Sequence, residues 1–209
     1  MTDLFQRERE MMVETQIKSR GIEDLLVLDA MRKVPRHIFL PEFERGSSYY
    51  DGPLPIGHGQ TISQPYIVAY MTELLELSGT EKVLELGTGC GYQTSVLAEI
   101  AREVYTIEVI ESLGKNAQKL LTESFGYKNV FFKFANGRKG WEEHAPFDRI
   151  IITAAPASFP EALFDQLSED NGIAIAPVGD YFQRMVKYIK NGNKIMSQAL
   201  IGVSFVPFV

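Results

Sequence analysis

Apolar and polar positions change their period partway along this chain. Residues 5–19 place Phe5, Met12 and Ile17 at helical spacing, and the segment stops near Gly21. Residues 23–33 read as a second helix, with Leu25, Leu28 and Met31 on one stripe and Pro35 closing it. Residues 41–65 lose periodicity and are dense in glycine and proline, which predicts a long ordered loop of the kind that usually carries function. Residues 66–77 return to helix. From Lys82 onward, short apolar runs at 82–86, 103–109, 129–134, 148–153 and 172–178 alternate with helical stretches at 92–101, 111–124 and 160–167. That alternation predicts a mostly parallel, doubly wound sheet with helices on both faces. The C-terminal stretch reads as a hairpin turned near Asn191-Gly192, adding antiparallel strands at one edge. The expectation is one α/β domain over 1–209. Its first part, 1–78, is the helical extension and loop; its second, 79–209, is the α/β body with the hairpin.

Composition narrows the partners. The 209 residues are 45% hydrophobic and 23% charged, as in a globular protein, and 27 acids against 21 bases leave a net charge of -6. Such a balance disfavours nucleic acid, whose binding draws on a basic surface. The single cysteine, Cys90, excludes an internal disulfide and a thiolate zinc site. The first 20 residues are charged throughout, unlike a secretory signal, and no apolar run reaches the roughly 18 residues of a membrane span. Cytoplasm is the expected compartment. With no sustained heptad or long apolar stripe, a monomer is expected.

The segment Val83-Leu84-Glu85-Leu86-Gly87-Thr88-Gly89-Cys90-Gly91-Tyr92-Gln93 leads a strand into three alternating glycines and then a helix. Glycine serves where a backbone turns tightly and a ligand approaches closely, and this strand end is where doubly wound, Rossmann-like sheets bind ligands. The next strand ends in Glu108-Val109, and an acid there can accept hydrogen bonds from ribose hydroxyls. A nucleoside cofactor is therefore expected. Tyr92 stands where a dinucleotide loop would place its last glycine, and no Lys-Ser/Thr follows as in a phosphate loop. Glu85 would repel a pyrophosphate and attract, directly or through water, the cationic amino and sulfonium groups of S-adenosylmethionine. That cofactor is the favoured reading. A structural turn in an unrelated α/β protein is the alternative.

The loop reads Asp51-Gly-Pro-Leu-Pro-Ile-Gly-His-Gly-Gln-Thr-Ile-Ser63, followed by Gln64-Pro65-Tyr66. Together with the glycine segment, YTIEV, PFDRIIITAAP, Pro177-Val178-Gly179 and the terminal VSFVPFV, it resembles the protein-L-isoaspartate O-methyltransferases, from about residue 11 to the C-terminus. The resemblance implies a class I S-adenosylmethionine-dependent methyltransferase fold. It also implies methylation of the free α-carboxylate of L-isoaspartyl residues in damaged proteins and peptides, which starts repair through a succinimide. It assigns Ser63 to the active site and lays Thr61, Ile62 and Ser63 against the cofactor. Ile56, Thr61, Ser63 and Phe205 fall to the substrate, with the 204–208 backbone offered to an extended peptide. Where these enzymes usually carry Gly-Asp-Gly, this chain has Ala135-Asn136-Gly137. The Asn136 carbonyl can still accept a bond from the adenine amino group, but without a charge, which implies cofactor binding weaker by about 1 kcal/mol.

Plainer readings accompany these. Thr61 and Ser63 could cap the helix that starts near Pro65. His58 reads as a solvent-facing loop residue, Cys90 as a small packing residue, and Trp141 as packing; no metal is expected. Rival functions are a methyltransferase with another acceptor in a closed pocket, and a non-catalytic cofactor- or protein-binding relative, which the Asn136 departure would suit.

Overall fold

The computed structural model describes residues 4–208. Helix α1 (Leu4–Met12) continues as a wide turn over Val13–Ile17 and a tight one to Arg20, and Gly21 ends it at φ 93°. Helix α2 (Leu25–Lys33) is capped by Asp24, whose carboxylate accepts from the amides of Leu26 and Val27 at 2.8 and 3.2 Å. The expected long loop is more ordered than its composition suggests. It holds a tight helical turn (Glu42–Ser47) and a small antiparallel hairpin of β1 (Leu54–Gly57) and β2 (Gln60–Ile62). Gly57 and Gly59, with φ of 91° and 69°, and His58 at 54° take the left-handed conformations that turn this hairpin. Helix α3 (Pro65–Leu74) follows, with proline in its first turn, where no amide partner is needed.

The body alternates β3 (Lys82–Leu86), α4 (Tyr92–Ala98), β4 (Glu103–Glu108), α5 (Glu111–Lys119), β5 (Val130–Phe134), β6 (Arg149–Ile152), α6 (Ala162–Gln166) and β7 (Gly172–Val178), then β8 (Gln183–Asn191) and β9 (Lys194–Val203). Among the described residues, seven strands form one sheet in the order β5-β4-β3-β6-β7-β8-β9. The strands from β3 to β7 pair in parallel, while β8 and β9 add the antiparallel edge. Strand order reverses between β3 and β6, and the crevice beyond that point is where such sheets hold ligands.

Alternation along the strands builds a core on each face. Val83 and Ile151 join the larger cluster with α1 to α4, Met31, Tyr92 and Val96 among it. Leu84, Leu86, Ile150 and Ile152 join the other, under α6, with Phe147 and Leu163. The N-terminal helices thus share an apolar cluster with the sheet. No helix among the described residues is long and apolar enough to cross a membrane.

Candidate active site

The glycine loop leaves β3 through residues that need to be glycine. Gly87, Gly89 and Gly91 have φ of 99°, 56° and 91°, a region that costs other residues about 1–2 kcal/mol each. A Cβ at Gly87 would lie 2.3 Å from Thr153 Oγ1, whose hydroxyl is held by the carbonyls of Leu86 and Gly87 at 3.0 and 2.7 Å. A Cβ at Gly91 would lie 2.6 Å from Leu121 Cδ1, so this third glycine serves close packing of the α5 region. Of the three, Gly87 and Gly89 line the cleft at the sheet's switch point and Gly91 does not.

Thr88, Tyr92 and Gln93 line one wall of the cleft, Glu108, Val109 and Gly137 another. Glu108 is buried at the end of β4; its carboxylate accepts from the Gly89 amide at 2.7 Å and the Ile110 amide at 2.9 Å. Two amides hold the carboxylate in place and leave acceptor positions free for ribose hydroxyls. The glycine cradle and the acid together fit an adenosine-bearing cofactor.

Glu85 does not reach the cleft, contrary to the expectation that it would face the cofactor's cationic groups. It is 0% exposed and lies on the face of β3 that α4 covers, accepting from Thr94 and Thr106 hydroxyls at 2.5 and 2.7 Å. Thr106 in turn bonds Thr88, which lines the cleft, at 2.6 Å. Its other oxygen is buried without a partner. Burial pushes its carboxyl up from 4.5 to about 8, outweighing the two hydroxyl bonds, while nearby Glu108 pushes the same way. A carboxyl whose folded pKa is raised binds its proton more tightly in the native state. Its stabilisation is full below the ordinary value and is lost as pH rises through about 8. Replacing Glu85 with glutamine should flatten that loss. Thermal unfolding from pH 5 to 9 tests it, and an equally steep fall in Tm for both proteins would refute the assignment.

The opposite wall comes from the hairpin loop. Thr61, Ile62 and Ser63 line the cleft, with Ile56, whose Cδ1 faces Gly89. A second, wider groove opens beside it, bounded by Ile67, Phe205 and the residues between β7 and β8. The cleft and the groove share Thr61, Ser63, Thr153 and Val206. Among the described lining residues of the groove, Arg184 carries the single charge, so no acid stands ready to repel a carboxylate.

One residue that holds this wall escaped the sequence reading. Arg36 is 0% exposed, and its guanidinium donates to three loop carbonyls: Ser48 at 2.7 Å, Gly52 at 3.2 Å and Ser63 at 2.7 Å. Its guanidinium carbon lies 5.2 Å from the centre of the buried Tyr92 ring, joining the loop to the glycine segment. Burial lowers its pKa, and its partners in those bonds are carbonyls rather than carboxylates.

Other expected residues sort themselves. Asn136 caps the short turn after β5, its carbonyl accepting from the Arg138 amide at 2.9 Å, and its neighbour Gly137 lines the cleft. Asn136 itself is exposed and outside the lining, though a carbonyl oxygen has a second acceptor position. Ile56 belongs to the narrower cleft rather than to the groove. Phe205 lines the groove, but its amide donates to Gln183 Oε1 at 2.6 Å and its carbonyl accepts from Gln183 Nε2 at 3.1 Å. Much of the backbone thought free for a peptide is therefore engaged within the protein. Val206 and Phe208 likewise bond Ala155. His58 is exposed at the hairpin turn, 3.3 Å from the Ser112 hydroxyl. Burial holds the Cys90 thiol at about 11, as suits a packing residue. Trp141 packs edge-on against Tyr105. No cluster of three metal-ligating side chains occurs among the described residues.

Comparison with known proteins agrees with this geometry. The family model for protein-L-isoaspartate(D-aspartate) O-methyltransferase matches residues 6–209. The protein-L-isoaspartate O-methyltransferase of Dictyoglomus thermophilum is 50% identical over 207 residues, covering 99% of this chain and 93% of that one. A solved protein-L-isoaspartate O-methyltransferase superimposes with a TM-score of 0.87 at 26% identity, over 95% of this chain and 65% of the other. A Plasmodium falciparum structure, described as the same enzyme in complex with S-adenosyl-L-homocysteine, gives a TM-score of 0.82 at 26% identity, over 96% and 98%. The chain belongs to the protein-L-isoaspartate O-methyltransferase family, S-adenosylmethionine-dependent enzymes with a class I methyltransferase fold.

Proposed function

We propose that this chain methylates the free α-carboxylate of L-isoaspartyl residues in proteins and peptides, at the point where the cleft meets the groove. The junction at Thr61, Ser63, Thr153 and Val206 carries the proposal. A cleft suited to an adenosine cofactor opens there onto an open groove, where a small acceptor would call for a closed pocket. S-adenosylmethionine, when bound, supplies an electrophilic methyl group. Gly87, Thr88, Gly89, Glu108 and Gly137 would hold it, with Glu108 accepting from the ribose.

The acceptor carboxylate is ionised at neutral pH, its ordinary pKa being about 4, so no general base is required. What this chain's residues must do is align the acceptor and exclude water, and orientation alone can supply about 7–11 kcal/mol. Ser63 and Thr61 offer neutral hydroxyls that can donate to the carboxylate without repelling it. Arg36 fixes the Ser63 backbone, so the hydroxyl is displayed from a held position. Thr153 stands at the same junction with its own hydroxyl turned to β3 carbonyls.

Radiolabelled S-adenosylmethionine offered with paired isoaspartyl and aspartyl peptides tests the reading. Base-labile methyl ester should form on the isoaspartyl peptide alone. Ser63→Ala should lower kcat/KM for that peptide about 10–100-fold, the worth of a hydrogen bond to a charged group. Equal labelling of both peptides, or none with cofactor still bound by calorimetry, would point to another acceptor or to a binding role.

A further inference from the structure

Beside the groove the fold displays two aromatic side chains to water. Tyr181 is 97% and Phe182 94% exposed, and both line the groove between β7 and β8. Aromatic side chains are costly to leave so bare, and contiguous exposed apolar surface marks sites of interaction. The backbone beneath them is pinned. The Gly179 amide donates to the Pro156 carbonyl at 3.0 Å, and a Cβ at Gly179 would lie 2.2 Å from the Phe182 carbonyl, so the turn closes on itself. Gln183 then ties the next residue to both backbone groups of Phe205. The two rings therefore project from an anchored turn, along a groove that shares Ser63 and Thr61 with the cofactor cleft.

We propose that Tyr181 and Phe182 form an aromatic platform for the residues flanking the isoaspartate, selecting substrate chains that carry apolar or aromatic side chains there. This rests on the isoaspartyl reading of the junction. The groove suits such an occupant: the phenylalanine ring of Phe205 and the side chains of Ile67 and Val203 continue its apolar surface. The selection is of side chains, because much of the neighbouring 205–208 backbone is already engaged.

Two sets of isoaspartyl peptides of equal length decide it, one with leucine or phenylalanine within three residues on either side, one with serine there. The native protein should favour the apolar set through a lower peptide KM. The Tyr181→Ser/Phe182→Ser variant should raise KM for the apolar set about tenfold, as expected for loss of aromatic anchors, and leave the serine set and the KM for S-adenosylmethionine unchanged. Exposure this high predicts an unchanged Tm, so misfolding is excluded by the same preparation. A variant that keeps the native preference, or loses equally on both sets, overturns the platform and leaves the isoaspartyl reading standing. A native protein that methylates neither set fails that reading first, and the platform with it.

Discussion

Arg36→Met should lower stability by about 3–5 kcal/mol and Tm by about 10 °C, with activity lost in proportion at temperatures where the variant is still folded. Methionine fills much of the same space, so packing is largely kept. What disappears is the donor set for the carbonyls of Ser48, Gly52 and Ser63, bonded by Arg36 at 2.7, 3.2 and 2.7 Å. Removing one partner of a buried polar group leaves the others desolvated and unpaired, which costs far more than the bonds contribute net. Arg36→Lys should rescue little, because one ammonium on a flexible stem cannot span carbonyls drawn from three positions of the loop. Its remaining activity should show a raised peptide KM, since Ser63 loses its support while Glu108 and the glycine loop do not. Thermal unfolding of both variants checks this. A Tm for Arg36→Met within 2 °C of the parent, well below the roughly 6 °C minimum expected, would mean that the loop holds itself.

Gly87→Ala should cost about 2–4 kcal/mol and weaken S-adenosylmethionine binding about 100-fold. Two causes act together. The residue sits at φ 99°, and its new methyl would meet Thr153 Oγ1 at 2.3 Å. Thr153 has a short side chain, held by two carbonyls, and cannot yield without breaking both bonds. Adding Thr153→Ala should recover roughly half the lost stability by removing the clash, with the backbone strain and the narrowed cleft remaining. Calorimetric titration of S-adenosylmethionine and unfolding of the single and double variants measure the two parts separately. If the double variant is no more stable than Gly87→Ala, steric contact with Thr153 is not the cause.

Much of this architecture was written locally. Lys82–Leu86 and Gly172–Val178 form strands with the bounds their apolar runs imply, and the Asn191-Gly192 hairpin turns where expected. Period, glycine conformation and capping depend on neighbours a few residues away, and a sequence displays them directly. The placing of Gly87, Gly89 and Glu108 along one cleft follows likewise, because the end of a strand in a doubly wound sheet opens into that crevice whatever covers it.

Tertiary structure decided the rest. Arg36 stands just past the Pro35 that closes the second helix, with nothing in its neighbours to mark it; its burial depends on carbonyls 12, 16 and 27 residues further on. Glu85 stands two residues short of Gly87, and strand alternation turns it under the helices, where Thr94 and Thr106 meet it. Loop composition announced turns at 41–65 but not the β1–β2 pairing or the groove beside it, which needs the β7–β8 turn and the C-terminal segment brought to the same edge. Local preference is settled by a residue and its neighbours, whereas the satisfaction of a buried polar group and the shape of a cleft are settled by whichever distant backbone the fold brings alongside.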